Sequence, residues 1–175
     1  MILIWSTNNA WGSRLIRWGL DEPSSHFAVC FFEDNPSHAT VIESRMMDGV
    51  DTCSLKDFHR RNEVIHMLQA PITADEEIEL YNHLYNSTKG VEYDRPAILY
   101  WIYAGFMRKF FDRKLPKENI MDRRELLYCV EVLEILENYL EEIGVDVGEI
   151  DFGMMSPEQA YEMLIECESM RQLPC

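Results

Sequence analysis

The stretch SHFAVCFFEDNPSHATVIES, residues 25–44, determines the fold that we expect for this chain. Residues 27–32 form a continuous apolar run that is too short for a helix, so the run predicts a buried β-strand. The sequence Asp34-Asn35-Pro36 is typical of a turn, and residues 39–43 return as a second strand. The stretch therefore predicts a β-hairpin centred near Asn35.

The segments around this hairpin change from strands to helices along the chain. Three further short apolar runs predict strands, and they cover residues 1–5, 50–53 and 63–68. Capping signals and apolar stripes predict five helices. They cover residues 7–18 with Thr7 or Asn8 as cap, 73–90 with Thr73 as cap, 96–111, 122–143, and 156–168 with Ser156 as cap.

These elements predict an α+β protein with a small, barrel-like antiparallel sheet packed against helices. The chain has 175 residues, which is enough for one sizeable core. We therefore expect a single domain over residues 1–175.

The charge and the cysteines exclude several classes of protein. The chain has 16 Lys and Arg against 31 Asp and Glu, and its net charge of −15 opposes binding to nucleic acid. Five cysteines without a CxxC pair argue against a disulfide framework and against a zinc ribbon. No apolar run reaches the ~20 residues that span a bilayer. We expect a cytoplasmic protein without a transmembrane segment.

Two residues of the hairpin suggest chemistry. His26 stands at the head of the first strand and Glu43 near the end of the second, and symmetry about Asn35 places them nearly opposite each other. A carboxylate at that position can hold an imidazole in one tautomer and stabilise its cation. The alternative is a histidine bonded to a backbone carbonyl and a solvated glutamate.

Cys129 is the third candidate. A cysteine is nucleophilic as a thiolate, which a helix N-terminus or a nearby imidazolium favours. Cys129 shares a helical face with Leu133 and Leu136, so the alternative is a small buried apolar residue. The spacing of Cys53, His59 and His66 matches no common metal-ligand pattern, and we expect no metal site.

Four stretches in this order resemble a known family. They are LIRW at 15–18 with SHFAV at 25–29, VIES at 41–44 with GV at 49–50, GVEYD at 90–94, and YCVEVL at 128–133. Together they resemble the circularly permuted papain-like, NlpC/P60-type cysteine hydrolases, in particular the YaeF/YiiX-like permuted amidases. Val130 departs from the pattern, because the family usually has a serine there.

The resemblance implies a role for each matching residue. Cys129 would be the nucleophile, His26 its general base and Glu43 the group that orients His26. The backbone N–H of Cys129 would contribute to an oxyanion hole. The family places its cysteine at a helix N-terminus, so we expect a helix start or break near residue 127 or 128. Ser25, Tyr93 and Tyr128 would lie near the site in a binding or structural role.

The sequence therefore predicts a cysteine hydrolase or acyl transferase that acts on an amide, ester or thioester through an acyl-enzyme. The resemblance implies a peptide, a cell-wall peptide or a lipid acyl group as substrate, with no metal or organic cofactor. The alternative is a catalytically idle module that binds a partner protein through its acidic surface. The sequence leaves the substrate, the acyl acceptor and the oligomeric state open.

Overall fold

The computed structural model describes residues 1–32, 39–45, 48–92, 94–111, 129–130, 132–142 and 155–175. Within these residues the chain is an α+β protein, as predicted, with one antiparallel sheet and helices packed against it. The strands are β1 (Ile2–Thr7), β2 (His26–Phe31), β3 (Thr40–Arg45), β4 (Gly49–Ser54), β5 (Glu63–Gln69) and β6 (Arg171–Leu173). The helices are α1 (Trp11–Leu20), α2 (Leu55–Arg61), α3 (Ala74–Thr88), α4 (Arg95–Phe111), α5 (Val132–Glu142) and α6 (Pro157–Ile165).

The sheet is open. Its strand order is β4-β3-β2-β1-β5-β6, so in the described part of the chain β4 and β6 are the two edges. A barrel would need these edges to pair. The small antiparallel sheet packed on helices is confirmed, and within the described residues it is not closed into a barrel.

The buried hairpin strands lie at the centre of the sheet. The apolar run predicted from residue 27 forms β2, which pairs with β1 on one side and β3 on the other. Apolar side chains cover both faces of the sheet. One core cluster includes Trp5, Phe27 and Leu133, and the other includes Ile4 and Phe58.

The predicted helix caps are right for two helices and wrong for α1. Thr73 and Ser156 each accept a hydrogen bond from the third residue of their helices, and both complete a capping box. Helix α1 begins at Trp11 instead of near Thr7, because Thr7 belongs to β1, where it pairs with Glu63.

Two short elements had no clear signal in the sequence. Helix α2 has seven residues and is capped by Ser54, whose side chain accepts a hydrogen bond from the Asp57 N–H. Strand β6 has three residues and adds to β5 at the sheet edge. Elements of this length have too few positions for a periodic pattern.

No helix among the described residues is long and apolar enough to cross a membrane.

Helices α1 and α4 contact each other through glycine. A Cβ atom built on Gly105 would lie 2.5 Å from the backbone carbon of Gly19, which is closer than real Cβ contacts. A Cβ atom built on Gly19 would have ordinary contacts, the nearest at 3.6 Å. The close approach therefore depends on Gly105 and tolerates a side chain at Gly19.

We expect Gly105→Ala to lower the free energy of unfolding by about 1–3 kcal/mol, because overpacked helix contacts are costly. This loss should exceed the gain of about 1 kcal/mol that alanine brings to a helix interior. Gly19→Ala is the matched control, and its stability should be unchanged or slightly raised. Urea denaturation of the three proteins measures the difference, and equal stability of both variants would contradict the predicted contact.

Candidate active site

His26 and Glu43 contact each other across the hairpin. His26 is the first residue of β2 and pairs with Ser6 of β1, whereas Glu43 pairs with Ala28. The two residues are therefore diagonal neighbours, two positions away from a directly opposed pair, which agrees with the expectation that they lie nearly opposite each other. A shift of two keeps side chains on the same face of a sheet. The His26 Nε2 atom lies 2.9 Å from Glu43 Oε2.

The carboxylate of Glu43 is buried and held by cations. The residue is 2% exposed. Arg61 Nη2 donates to Glu43 Oε1 at 2.5 Å, and Arg45 Nε lies 4.0 Å from the same oxygen. Burial by itself would raise the pKa of Glu43, but the hydrogen bond and charge of His26 and the charges of Arg61 and Arg45 lower it. Glu43 is therefore ionised at neutral pH.

His26 links Glu43 to Cys129. Burial by itself would lower the pKa of His26, but side-chain hydrogen bonds to Cys129 and Glu43, together with their charges, raise it to about 9. Because Nε2 faces Glu43, Nδ1 is the ring nitrogen that remains for the thiol. The ring also stacks on Phe58, with centroids 6.3 Å apart. The structure thus brings together the three residues singled out in the sequence.

Cys129 lies just before a helix. Residues 129–130 form a turn, α5 begins at Val132, and the Leu133 N–H donates to the Val130 carbonyl at 2.8 Å. The prediction of a continuous helix over residues 122–143 is therefore wrong at Cys129, and residues 127 and 128, where a helix start or break is expected, lie outside the described residues. Among the described residues, Cys129 lies three positions before the first residue of α5, on the side where the positive end of a helix dipole favours a thiolate.

A cleft of about 350 Å³ opens beside His26 and Glu43. Cys129 is 1% exposed and is not among the described residues that line it. The lining residues come from the start of α1, the β2–β3 pair and the end of α2. They are Asn8, Ala10, Trp11, Gly12, Ser13, Ile16, Ser25, His26, Glu43, Ser44, Arg45, Asp48, Arg61 and Asn62.

Ser25 fixes the entrance to β2. Its Oγ atom lies 2.5 Å from Ser13 Oγ and 3.2 Å from Thr7 Oγ1, and its N–H donates to the Ser6 carbonyl at 3.0 Å. These bonds join the ends of β1 and β2 to α1. These contacts give Ser25 a structural role, because they fix the position of the neighbouring His26.

Two other predicted neighbours of the site, Tyr93 and Tyr128, lie outside the described residues, as does part of the predicted helix over residues 122–143. Two of the family-like stretches do meet in the fold. The Val50 N–H donates to the Val91 carbonyl at 3.1 Å. Gly49 has a φ of +75°, and a Cβ atom there would lie 2.5 Å from the same carbonyl oxygen.

The arginines were not identified from the sequence. Arg45 had a usable signal, because it lies two positions after Glu43 and therefore on the same face of β3. Arg61 had none, because it reaches Glu43 from α2, which the sequence did not predict.

The described residues contain no group of three or more His, Cys, Asp or Glu side chains arranged to hold a metal ion. Cys53 and His66 lie on β4 and β5, which three other strands separate. Cys53 Sγ instead donates to Glu43 Oε1 at 3.5 Å, and His66 bonds Glu158.

No family model matches this chain, and no curated protein matches its sequence significantly. Among solved structures, the chain is similar to the crystal structure of the metalloprotein YiiX from Escherichia coli O157:H7, also described as DUF1105. The TM-score is 0.51 and the identity 10%, over 99% of this chain and 94% of YiiX. At that identity the likeness is one of fold alone, and the chain is a distant structural neighbour of YiiX.

Proposed function

We propose that this protein is a cysteine-dependent hydrolase or acyl transferase of the permuted papain-like type. The observation that carries the proposal is the position of His26, whose Nε2 lies 2.9 Å from the buried, ionised Glu43 and whose pKa is raised by Cys129 as well as by Glu43. A nucleophile, a base and a group that orients the base are the parts that acyl transfer requires.

The reaction follows from this order of contacts. His26, whose pKa is raised to about 9, already holds the thiol proton, and the Cys129 sulfur attacks the substrate carbonyl carbon as a thiolate. The tetrahedral intermediate collapses as His26 gives the proton to the leaving amine, alcohol or thiol, which leaves an acyl-enzyme. His26 then takes a proton from water or another acceptor, which attacks the thioester and releases Cys129. Throughout, Glu43 holds the ring and stabilises its cation.

The N-terminal end of α5 supplies stabilisation for the oxyanion. Cys129 lies in the turn that precedes this helix, where the positive end of the helix dipole favours negative charge. The Cys129 N–H is the donor that the family resemblance implies.

The description of YiiX as a metalloprotein applies to YiiX, and the His26–Glu43 pair of this chain is not arranged to hold a metal. His26 Nε2 and Glu43 Oε2 bond each other, and Arg61 occupies the other Glu43 oxygen with a positive charge. A cation there would displace both partners and face Arg61. The proposed reaction has no step through a metal.

One observation favours the second candidate function, a catalytically idle module that binds a protein through its acidic surface. Cys129 is buried, and the described cleft is lined by His26 and Glu43 without it. A buried cysteine that merely packs would be inert. The reactivity of the Cys129 thiol therefore separates the two candidates.

We expect iodoacetamide at pH ~6 to label Cys129 before the exposed Cys175, since an ordinary thiol with a pKa near 8.5 is mostly protonated there. Burial raises the pKa of Cys30 to about 12 and that of Cys53 to about 11, so these two should remain unlabelled. Peptide mass spectrometry over time gives the order of labelling.

The control is His26→Gln, which should slow the labelling of Cys129 and leave that of Cys175 unchanged. If Cys175 reacts first in the native protein, the thiol of Cys129 is not activated, and the binding module becomes the better interpretation.

A further inference from the structure

Exposed apolar side chains are concentrated on α1 and α4. Among the described residues, nine large hydrophobic side chains are exposed, and only Ile78 and Ile165 lie on other helices. The other seven form a surface that we call the α1–α4 face, and they are Trp11, Trp18, Leu99, Tyr103, Phe106, Phe110 and Phe111. Exposed apolar groups in one place indicate an interaction surface.

The same two helices carry the opposite charge to the rest of the protein. All 31 Asp and Glu residues lie outside α1 and α4. Arg14 and Arg17 belong to α1, and Arg108 and Lys109 to the last turn of α4. The α1–α4 face is therefore positively charged, although the chain as a whole has a net charge of −15.

The aromatic rings and the cations form one continuous surface. The Trp18 and Phe110 rings are 6.0 Å apart, and Phe106 is 4.6 Å from Phe110. Lys109 Nζ lies 5.0 Å from the Trp18 ring centroid and donates to the Trp18 carbonyl at 3.0 Å. The glycine contact between Gly19 and Gly105 fixes the two helices against each other.

This face also adjoins the candidate active site. Trp11 lines an open groove with Arg14 and Trp18, and it lines the cleft that contains His26. A partner on the α1–α4 face would therefore lie at the mouth of the cleft.

We propose that the α1–α4 face binds the surface of an anionic lipid bilayer. Tryptophan and tyrosine settle at the level of lipid headgroups, and arginine and lysine beside them attract anionic lipids. A helix with exposed apolar and cationic groups is typical of interfacial binding. The rest of the protein is acidic and would be repelled, so charge selects this face and this orientation. If the proposed acyl chemistry is also right, a lipid acyl group can enter the cleft from the bilayer.

The test is co-sedimentation of the full chain with two kinds of vesicle, one of phosphatidylcholine alone and one of phosphatidylcholine mixed with phosphatidylglycerol. We expect binding to the mixed vesicles that weakens with added salt, and no binding to the neutral ones. Phe110→Ser and Arg14→Glu should each reduce binding by about tenfold or more.

Two variants control for a general loss of apolar surface or charge. Ile78→Ser removes an apolar side chain of similar exposure on α3, 54% against 59% for Phe110, and Lys56→Glu reverses an exposed charge on α2. Both should bind the mixed vesicles like the native chain. Failure of the native chain to bind, or an equal loss in the controls, would overturn the proposal.

A second copy of this chain is the competing occupant of the face. Analytical ultracentrifugation tests this alternative. A dimer that Phe110→Ser dissociates, together with no binding to vesicles, would assign the face to self-association and overturn the bilayer proposal. Vesicle binding needs no thiol chemistry. Cys129→Ser should therefore bind vesicles like the native chain, so failure of the bilayer proposal and failure of the proposed function are distinguishable.

Discussion

Cys129→Ser should lose turnover by at least about a thousandfold and keep nearly all of its stability. The substitution replaces the sulfur nucleophile with a hydroxyl whose pKa is far higher and which His26 does not activate as readily. It leaves almost no cavity, and we expect the serine hydroxyl to use His26 as its hydrogen-bond partner, since Cys129 is one of the groups that raise the pKa of His26.

Small activated amide and acyl substrates measure the loss, and mass spectrometry of the intact protein should find the acyl adduct on the native chain alone. Thermal unfolding of the same two proteins measures stability. If Cys129 is only a packed, inert residue, the result should be the reverse. Turnover should be unaltered, and the free energy of unfolding should fall by roughly 1–3 kcal/mol, because the serine hydroxyl would be buried without a partner.

Cys30→Ser is the matched control, because Cys30 is buried to the same extent within β2. The new hydroxyl would enter the apolar cluster around Phe58, so we expect a melting temperature several degrees lower with turnover unchanged. A similar loss of turnover in both variants would show that the effect at Cys129 is structural.

The alternation of side chains along β2 and β3 was enough to predict that His26 and Glu43 contact each other. The exact register of the two strands could not be predicted. Side chains alternate along a strand, so an error of two positions in the pairing leaves both residues on the same face. The pairing of Glu43 with Ala28 also depends on how side chains pack on both faces of the sheet. A sequence pattern contains no measure of that packing.

The start of α1 shows how tertiary contacts override a capping signal. Thr7 and Asn8 are good caps in isolation, yet the β1 ladder extends to Thr7 and its hydroxyl bonds Ser13 and Ser25. Ala10 becomes the cap without a side-chain hydrogen bond. The helix is held by packing of Ile16 and Leu20 in the core.

The contact of Arg61 with Glu43 could not be predicted from the sequence, for a different reason. Arg61 ends a seven-residue helix that has only Phe58 buried, so it lacks an apolar stripe that would place it. Its contact with Glu43 joins residues 18 positions apart through the tertiary fold. The roles of Tyr93 and Tyr128 stay predictions.

Glu43→Gln should lower kcat/KM by about 10²–10⁴-fold, because loss of the orienting carboxylate in a catalytic triad has effects of this order. The amide has almost the same shape but no negative charge. Of the groups that raise the pKa of His26 to about 9, the variant removes the Glu43 charge and its charged hydrogen bond. The pKa of His26 should therefore fall.

The pH dependence of the rate separates the loss of the Glu43 charge from a loss of structure. If the active form needs a protonated His26, the native rate should fall as the pH passes about 9, and in Glu43→Gln this alkaline limb should move to lower pH. Glu158→Gln is the matched control, since Glu158 holds His66 at 3.0 Å in the other His–Glu pair that we describe. Its alkaline limb should stay in place.

The same shift predicts how stability depends on pH. The pKa of His26 is raised from 6.5 to about 9 on folding. The contribution of protonated His26 to the free energy of unfolding is therefore complete below pH 6.5 and is lost as the pH rises through 9. The native chain should lose up to about 3 kcal/mol across that window, by the usual conversion of pKa differences to free energy. Glu43→Gln should lose clearly less, as measured by urea denaturation at each pH. Equal slopes in both proteins, with an unmoved alkaline limb, would show that Glu43 does not control the charge of His26.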